Sequence, residues 1–197
     1  MKREKSLIYL IRHGETDANI LKQIQGKSHI SINQKGKEQA EKIALVLKHI
    51  PFEAVYSSEE IRAKDTASFF SNHFTKKEEL NEINWGVFNG LSWDEADSLY
   101  PDLMKNRDIY GYKFKYPNGE SSIDVMNRAI FLMNLLCDKH KVCLCVTHSG
   151  FLKLLIAKIL LLDYSRLFSL NFDNGSYTLI SRKKEKWKVE CLNCKPL

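Results

Sequence analysis

Arg12-His13-Gly14, followed by Glu15-Thr16, is the stretch of this chain best equipped for chemistry. It places a cation, an imidazole and a permissive backbone position directly after the apolar run Leu7-Ile8-Tyr9-Leu10-Ile11. Gly14 allows a tight turn and close approach of backbone N–H groups to a ligand. Residues 17–22 can then open a helix, whose N-terminus favours an anion. A phosphate suits this place, with His13 beside it. Three further groups fit the same ligand. Arg62 stands in Ser57-Ser58-x-x-x-Arg62-Ala63-x-x-Thr66-Ala67, Glu82 in Leu80-Asn81-Glu82-Ile83-Asn84-Trp85-Gly86, and His148 in Thr147-His148-Ser149-Gly150. Two arginines offer forked hydrogen bonds to phosphate oxygens. Their charge disfavours an imidazolium nearby and keeps one histidine neutral and nucleophilic. Glu82 supplies a proton donor for a departing oxygen. Singly, each has an ordinary reading as a surface ion pair or a capped strand end; together they converge on one anion.

That convergence depends on where the elements put them. Strand and helix patterns alternate, so the fold class is α/β: a three-layer α/β/α sandwich with a mostly parallel central sheet. In such sheets ligands bind at the carboxyl ends of the strands. The run at 7–11 reads as a buried strand, ending at Arg12 and His13. Residues 53–57 form a short strand, after which Ser57 or Ser58 caps a helix carrying Arg62, with Ala63, Ala67, Phe70 and Phe74 inward. His148 follows the strand at 142–147, and Ser149 opens the next helix. Glu82 lies in a loop spanning 80–91.

The remaining elements complete the frame. Asn33 caps a helix burying Ala40, Ile43, Ala44 and Leu47, which Pro51 ends. A helix over 93–103 leads into an irregular aromatic stretch, where Tyr100, Tyr110, Tyr112, Phe114 and Tyr116 are expected to pack a loop onto the core rather than line a pocket. Pro117-Asn118-Gly119 marks a turn. Ser121 or Ser122 starts a long helix with Ile123, Met126, Ile130, Met133 and Cys137 inward. Strands at 176–181 and 187–191 pair through a lysine-rich turn.

With 197 residues, 44% hydrophobic and 27% charged, the chain fits one domain over 1–197. The net charge of +6 owes much to Arg182, Lys183, Lys184, Lys186, Lys188 and Lys195. No nucleic-acid-binding motif accompanies them, so a solvated hairpin tip is expected and no nucleic-acid partner. Five cysteines, an odd number, argue against a disulfide framework. Cys143 and Cys145 alternate on one strand face as core residues. Cys191 and Cys194 form a single Cys-x-x-Cys pair, too little for structural zinc; no metal is expected. The apolar N-terminal run is broken by Arg12, and the greasiest segment, 151–162, contains Lys153 and Lys158 and is too short for a bilayer. The expectation is a cytoplasmic, reduced protein with no membrane partner. A homodimer stays open.

Almost end to end, the chain resembles the histidine phosphatase superfamily, with its phosphoglycerate-mutase-like fold. The matching residues are Arg12-His13-Gly14-Glu15-Thr16 with Asn19, Gln25-Gly26, Gly36, Gln39-Ala40, Ser58, Arg62-Ala63, Thr66-Ala67, Leu80-x-Glu82, Gly86 and Gly90. Pro117-x-Gly119-Glu120-Ser121 and Thr147-His148-Ser149-Gly150 complete the order. The resemblance implies a metal-independent phosphomonoesterase that needs no cofactor and takes a small-molecule phosphomonoester. His13 would be the nucleophile, forming a phosphohistidine. Arg12, Arg62, His148, Asn19 and Ser149 would hold the phosphoryl oxygens, Glu82 would serve as acid and then base, and Gln25, Gly26 and Glu120 would form the rim. Mutases of the superfamily carry longer closing segments than the stretch 93–118 found here, so a phosphatase is favoured. Residues 15–20, Pro117-Asn118-Gly119-Glu120 and Phe172-Asp173-Asn174-Gly175 resemble the α-ribazole phosphatase branch, which implies α-ribazole 5′-phosphate as substrate. Two departures touch the rim: His29-Ile30-Ser31-Ile32-Asn33 stands where Asp-x-Pro-Leu-Thr is usual, and Asn89 where an acidic residue is usual. The alternatives are a broad, sugar or phosphoserine phosphatase, or a phosphoglycerate mutase. A non-catalytic phosphate-binding module would lack the nucleophile or the acid, and both are present here.

Overall fold

A strand buried on both faces needs an unbroken apolar run, and Ser6–Arg12 (β1) has one from Leu7 to Ile11. In the computed structural model, which describes residues 5–196, β1 lies near the middle of a six-stranded sheet of order β3-β2-β4-β1-β5-β6. The others are Ala54–Ser57 (β2), Thr75–Lys76 (β3), Val142–Thr147 (β4), Tyr177–Lys183 (β5) and Lys186–Cys194 (β6). β1 to β4 run parallel; β5 is antiparallel to both β1 and β6.

The period-two alternation splits the strand residues between two cores. Ile8, Leu10, Tyr56, Cys143, Cys145 and Ile180 face one side, packed with residues of Ser122–Lys139 (α6) and Ser149–Leu160 (α7). Tyr9, Ile11, Val55, Leu144 and Val146 face the other, against Ile43 and Leu47 of Gln34–Leu47 (α2) and Ala63 and Ala67 of Ile61–Ala67 (α3). The α/β/α sandwich expected from the alternation is the architecture found, and both central cysteines are core residues. Among the described residues no helix is long and apolar enough to cross a membrane.

Several helix boundaries differ from the sequence expectation. After β1 the helix is a single turn, Asp17–Ile20 (α1), closed by a Thr16–Asn19 capping box. Asn33 caps α2 as expected, its side chain accepting from the Gly36 N–H. The cap of α3 is Glu60 rather than Ser57 or Ser58, and α3 stops at Ala67, before Phe70 and Phe74. Ser58 is diverted: its hydroxyl bonds Asn81 and His148. The single helix expected over 93–103 is two, Trp93–Leu99 (α4) and Pro101–Tyr110 (α5), because Pro101 cannot continue α4 and starts α5 instead. Ser121 caps α6 through a capping box with Asp124, and Ile123 and Ile130 lie at the edge of its buried stripe rather than inside it.

Candidate active site

The strand ends line up. Arg12 pairs in register with Thr147, and Ser57 with Val146, so β1, β2 and β4 stop at one edge of the sheet. The ladder continues one step beyond, with His13 N–H donating to the Thr147 carbonyl and Ser58 N–H to that of Val146, both at 3.0 Å. His13, Ser58 and His148 therefore emerge side by side, the two imidazole rings 5.1 Å apart between centroids.

His13 is buried, and its Nδ1 lies 2.7 Å from the Gly14 carbonyl oxygen. A carbonyl can only accept, so Nδ1 carries the proton and Nε2 the lone pair. Burial, then Arg62 and Arg12, hold the imidazole well below its ordinary pKa. His148 is fully buried and shifted the same way by burial, then by Arg62 and His13. Its Nε2 is 2.8 Å from Ser58 Oγ, whose own proton goes to Asn81 Oδ1 at 2.9 Å. His148 Nδ1 is buried with no hydrogen-bond partner among the described residues.

The arginines repeat that pattern. Arg62 has 0% exposure, and its Nη atoms are held by the Gly26 carbonyl at 2.7 Å and by Ser28 Oγ at 3.1 Å. Arg12 Nη1 donates to the Phe172 carbonyl at 2.5 Å. In both, the Nε is buried with no hydrogen-bond partner among the described residues. Burial pulls both guanidinium pKa values down, with Glu82 opposing. Two unsatisfied cationic donors within one buried cluster are costly unless an anion meets them. With Nε2–H given to Ser58, the neutral His148 ring leaves a lone pair on Nδ1, which becomes a donor to an anion only when the ring takes up a proton.

Glu82 sits across from them at the start of α7. Its Oε1 accepts from the Phe151 and Ile83 N–H groups at 2.9 and 3.0 Å, and its Oε2 from Gly150 N–H at 3.1 Å. Gly150 is required for that approach, since a Cβ there would lie 2.5 Å from Glu82 Oε1.

A cavity of about 260 Å³ opens over these groups, lined by Arg12, His13, Arg62, Glu82, Asn19, Gln25 and Ser149. Asn19 Oδ1 accepts from the Thr16 N–H and from Asn174 Nδ2, and Gln25 Oε1 accepts from Thr16 Oγ1. Gly26, Glu120 and His148 are placed otherwise: none lines the cavity, and His148 is fully buried behind it. Gly26 braces Arg62, and Glu120 binds Arg128 in a fork, because that arginine projects from α6 behind the Glu82 loop. A larger groove of about 1020 Å³, walled by residues such as Tyr110, Tyr112 and Leu161, lies away from both histidines.

The cavity also contains groups that sequence reasoning missed. Lys153 and Arg107 line it with Trp85, Trp93, Tyr116, Tyr164 and Phe168. Lys153 was signalled by spacing, one helical turn beyond Ser149 on the same face of α7. Arg107 had no such signal, since its place follows from the break at Pro101. Its guanidinium lies 5.4 Å from the Trp93 ring centroid and 5.9 Å from that of Phe168. Of the aromatics expected to pack a loop, Phe114 and Tyr116 are buried in the core, and Tyr116 reaches the cavity as well.

Residues 8–195 match the histidine phosphatase superfamily (branch 1). Phosphoserine phosphatase 1 of Hydrogenobacter thermophilus is 25% identical over 192 residues, 94% of this chain and 91% of that protein. The 6-phosphofructo-2-kinase/fructose-2,6-bisphosphatase of Aquarana catesbeiana is 31% identical over 155 residues, 78% of this chain. The chain spans only about a third of that longer relative, 32%. The α-ribazole phosphatase of Shigella flexneri superposes with a TM-score of 0.84 at 25% identity, over 95% of this chain and 96% of that one. The chain belongs to the histidine phosphatase superfamily, branch 1, and has that superfamily's phosphoglycerate-mutase-like fold.

Proposed function

We propose that this single domain hydrolyses a small phosphomonoester without a metal ion, through a phosphohistidine on His13. The observation that carries this reading is His13, whose Nδ1 is held by the Gly14 carbonyl so that Nε2 keeps its lone pair, beside the unsatisfied buried Nε atoms of Arg12 and Arg62. His148 joins them by taking up a proton on Nδ1 as the anion binds. Nε2 attacks phosphorus as the bond to the leaving oxygen breaks, and Glu82 gives that oxygen its proton. Water then attacks the phosphohistidine, the P–N bond breaks, and the Glu82 carboxylate takes the water's proton as inorganic phosphate forms. Arg12, Arg62, His148, Asn19 and Ser149 hold the equatorial oxygens, with the arginines supplying the charge that a metal supplies elsewhere.

For the substrate, the aromatic wall and the likeness to the Shigella enzyme support α-ribazole 5′-phosphate, whose ring would stack there. Lys153 and Arg107 support a second reading, a phosphomonoester with another anionic group, such as phosphoserine. Lys153 is half-buried in the cavity, its pKa lowered by burial and by Arg12. The deciding experiment measures phosphate release, with chelator present, from α-ribazole 5′-phosphate, phosphoserine and a set of sugar and glycerate phosphates. Wild type, His13→Ala and Lys153→Met are run together. Activity that survives in His13→Ala, or vanishes with the chelator, sinks the mechanism. A preference for α-ribazole 5′-phosphate that Lys153→Met leaves intact selects the first substrate; a phosphoserine preference whose KM rises about tenfold or more in Lys153→Met selects the second.

A further inference from the structure

Arg128 stands outside the cavity, yet its hydrogen bonds all run to the loop that carries Glu82 or to the residue bracing that loop. From α6, its Nη1 donates to the carbonyls of Glu79 at 2.7 Å and Asn81 at 2.8 Å, and its Nη2 to that of Glu82 at 3.3 Å. Its Nε and Nη2 fork onto Glu120, Oε1 at 3.0 Å and Oε2 at 3.1 Å. Glu120 Oε2 in turn accepts from the Asn84 N–H at 2.9 Å, so the loop is gripped on both sides of Glu82. The guanidinium also lies 5.9 Å from the Phe151 ring centroid, and the Phe151 N–H is one of the donors that hold Glu82 Oε1. One planar side chain thus ties the loop behind Glu82 to the helix end in front of it. A lysine, with a single nitrogen and no fork, could not span these partners.

We propose that Arg128, braced by Glu120, is a positioning residue for Glu82: it fixes the carboxyl group where it can pass a proton to the leaving oxygen. This rests on Glu82 being the acid and base, as proposed above. Such a role is selective. A misplaced acid slows loss of an alkoxide, which must be protonated as it leaves, and spares loss of 4-nitrophenoxide, which need not be. A residue that merely holds the fold together has no reason to distinguish the two.

The test is the single-turnover rate of His13 phosphorylation by 4-nitrophenyl phosphate and by glycerol 3-phosphate. It compares wild type, Arg128→Gln, Arg128→Lys, Glu82→Gln and the Arg128→Gln/Glu82→Gln double variant. Arg128→Gln is expected to slow the glycerol phosphate reaction by about 10²-fold and the nitrophenyl reaction by less than about threefold. Arg128→Lys should fall between Arg128→Gln and wild type, and the double variant should be no slower than Glu82→Gln alone. Equal slowing with both substrates, or losses that multiply in the double variant, overturns the proposal. Glu82→Gln separates the two readings. If it is unselective, the role of Glu82 falls and this proposal with it; if it is selective while Arg128→Gln is not, only the positioning role falls. Should Arg128→Gln not fold, Glu120→Gln, which keeps the arginine and removes one arm of the fork, carries the same comparison and the same overturning result.

Discussion

A histidine is a weak nucleophile while it is protonated, and at His13 three influences oppose the proton: burial first, then the Arg62 and Arg12 charges. The Gly14 carbonyl contributes differently, by taking the Nδ1 hydrogen and leaving the lone pair on Nε2. The sequence placed one of these cations beside the imidazole in Arg12-His13-Gly14. It was silent on the tautomer, which depends on where a carbonyl one residue away points. An NMR titration of the ligand-free protein should find the His13 imidazole still neutral at pH 6.5, bonded through Nδ1–H. In Arg62→Gln its titration should move up, though not all the way, since burial is the larger cause. A His13 that titrates at or above 6.5 in the wild type would count against its place as the ready nucleophile.

At the scale of elements, the site is a meeting of three strand ends with the first turn of α7. The apolar runs of β1 and β4 were legible because strands buried on both faces need them, and the shared edge followed from their being parallel. Less legible was α7, which supplies two N–H groups to Glu82 and carries Lys153 into the cavity one turn later. Gly150 is the position on which that contact depends. Gly150→Ala should push Glu82 aside, because the new Cβ would stand 2.5 Å from Oε1. The expected result is slower turnover of alkyl phosphates by about 10²-fold, with the Kd for inorganic phosphate changed far less, read by steady-state kinetics and calorimetry. A variant that loses phosphate affinity and keeps its rate would place Glu82 among the binding groups instead. The α4–α5 break shows a different limit: Pro101 could be seen in the sequence, but the swing of α5 that brings Arg107 over Trp93 could not.

For the whole molecule, burying two neutral histidines links stability to pH. Both His13 and His148 have folded pKa values well below 6.5, so the unfolded chain binds protons more readily than the folded one. Above pH 6.5 neither state is protonated there and the full stability is present. As the pH falls below 6.5 toward the folded values, the unfolded state gains protons and stability is lost. The loss should be read as a urea midpoint that falls steadily as the pH drops below 6.5. The His13→Gln/His148→Gln variant should flatten that slope; an unchanged slope would assign the loss to other groups. Charge shows the same dependence on context. Of the late cations that looked loose in sequence, Arg182 pairs with Asp138, Lys188 with Glu190 and Lys195 with Asp173.

The amino-acid sequence by itself determined the layered α/β frame, because alternation of buried strands with amphipathic helices leaves one economical packing. It also brought Arg12, His13, Arg62 and His148 to one edge of the sheet, because each follows a strand or opens a helix at a place the periodicity marks; Glu82 lies in a loop that the periodicity does not mark. Tertiary structure alone decided which atoms those side chains leave free and what else shares their cavity. The unpaired nitrogens of Arg12, Arg62 and His148 arise from contacts with Phe172, Gly26 and Ser58, drawn from distant parts of the chain. Glu120 turned from the rim to Arg128, and Arg107 and Lys153 entered the cavity, for one physical reason. Which way a side chain finally points is set by the neighbours it meets across the fold, and local spacing does not carry that information.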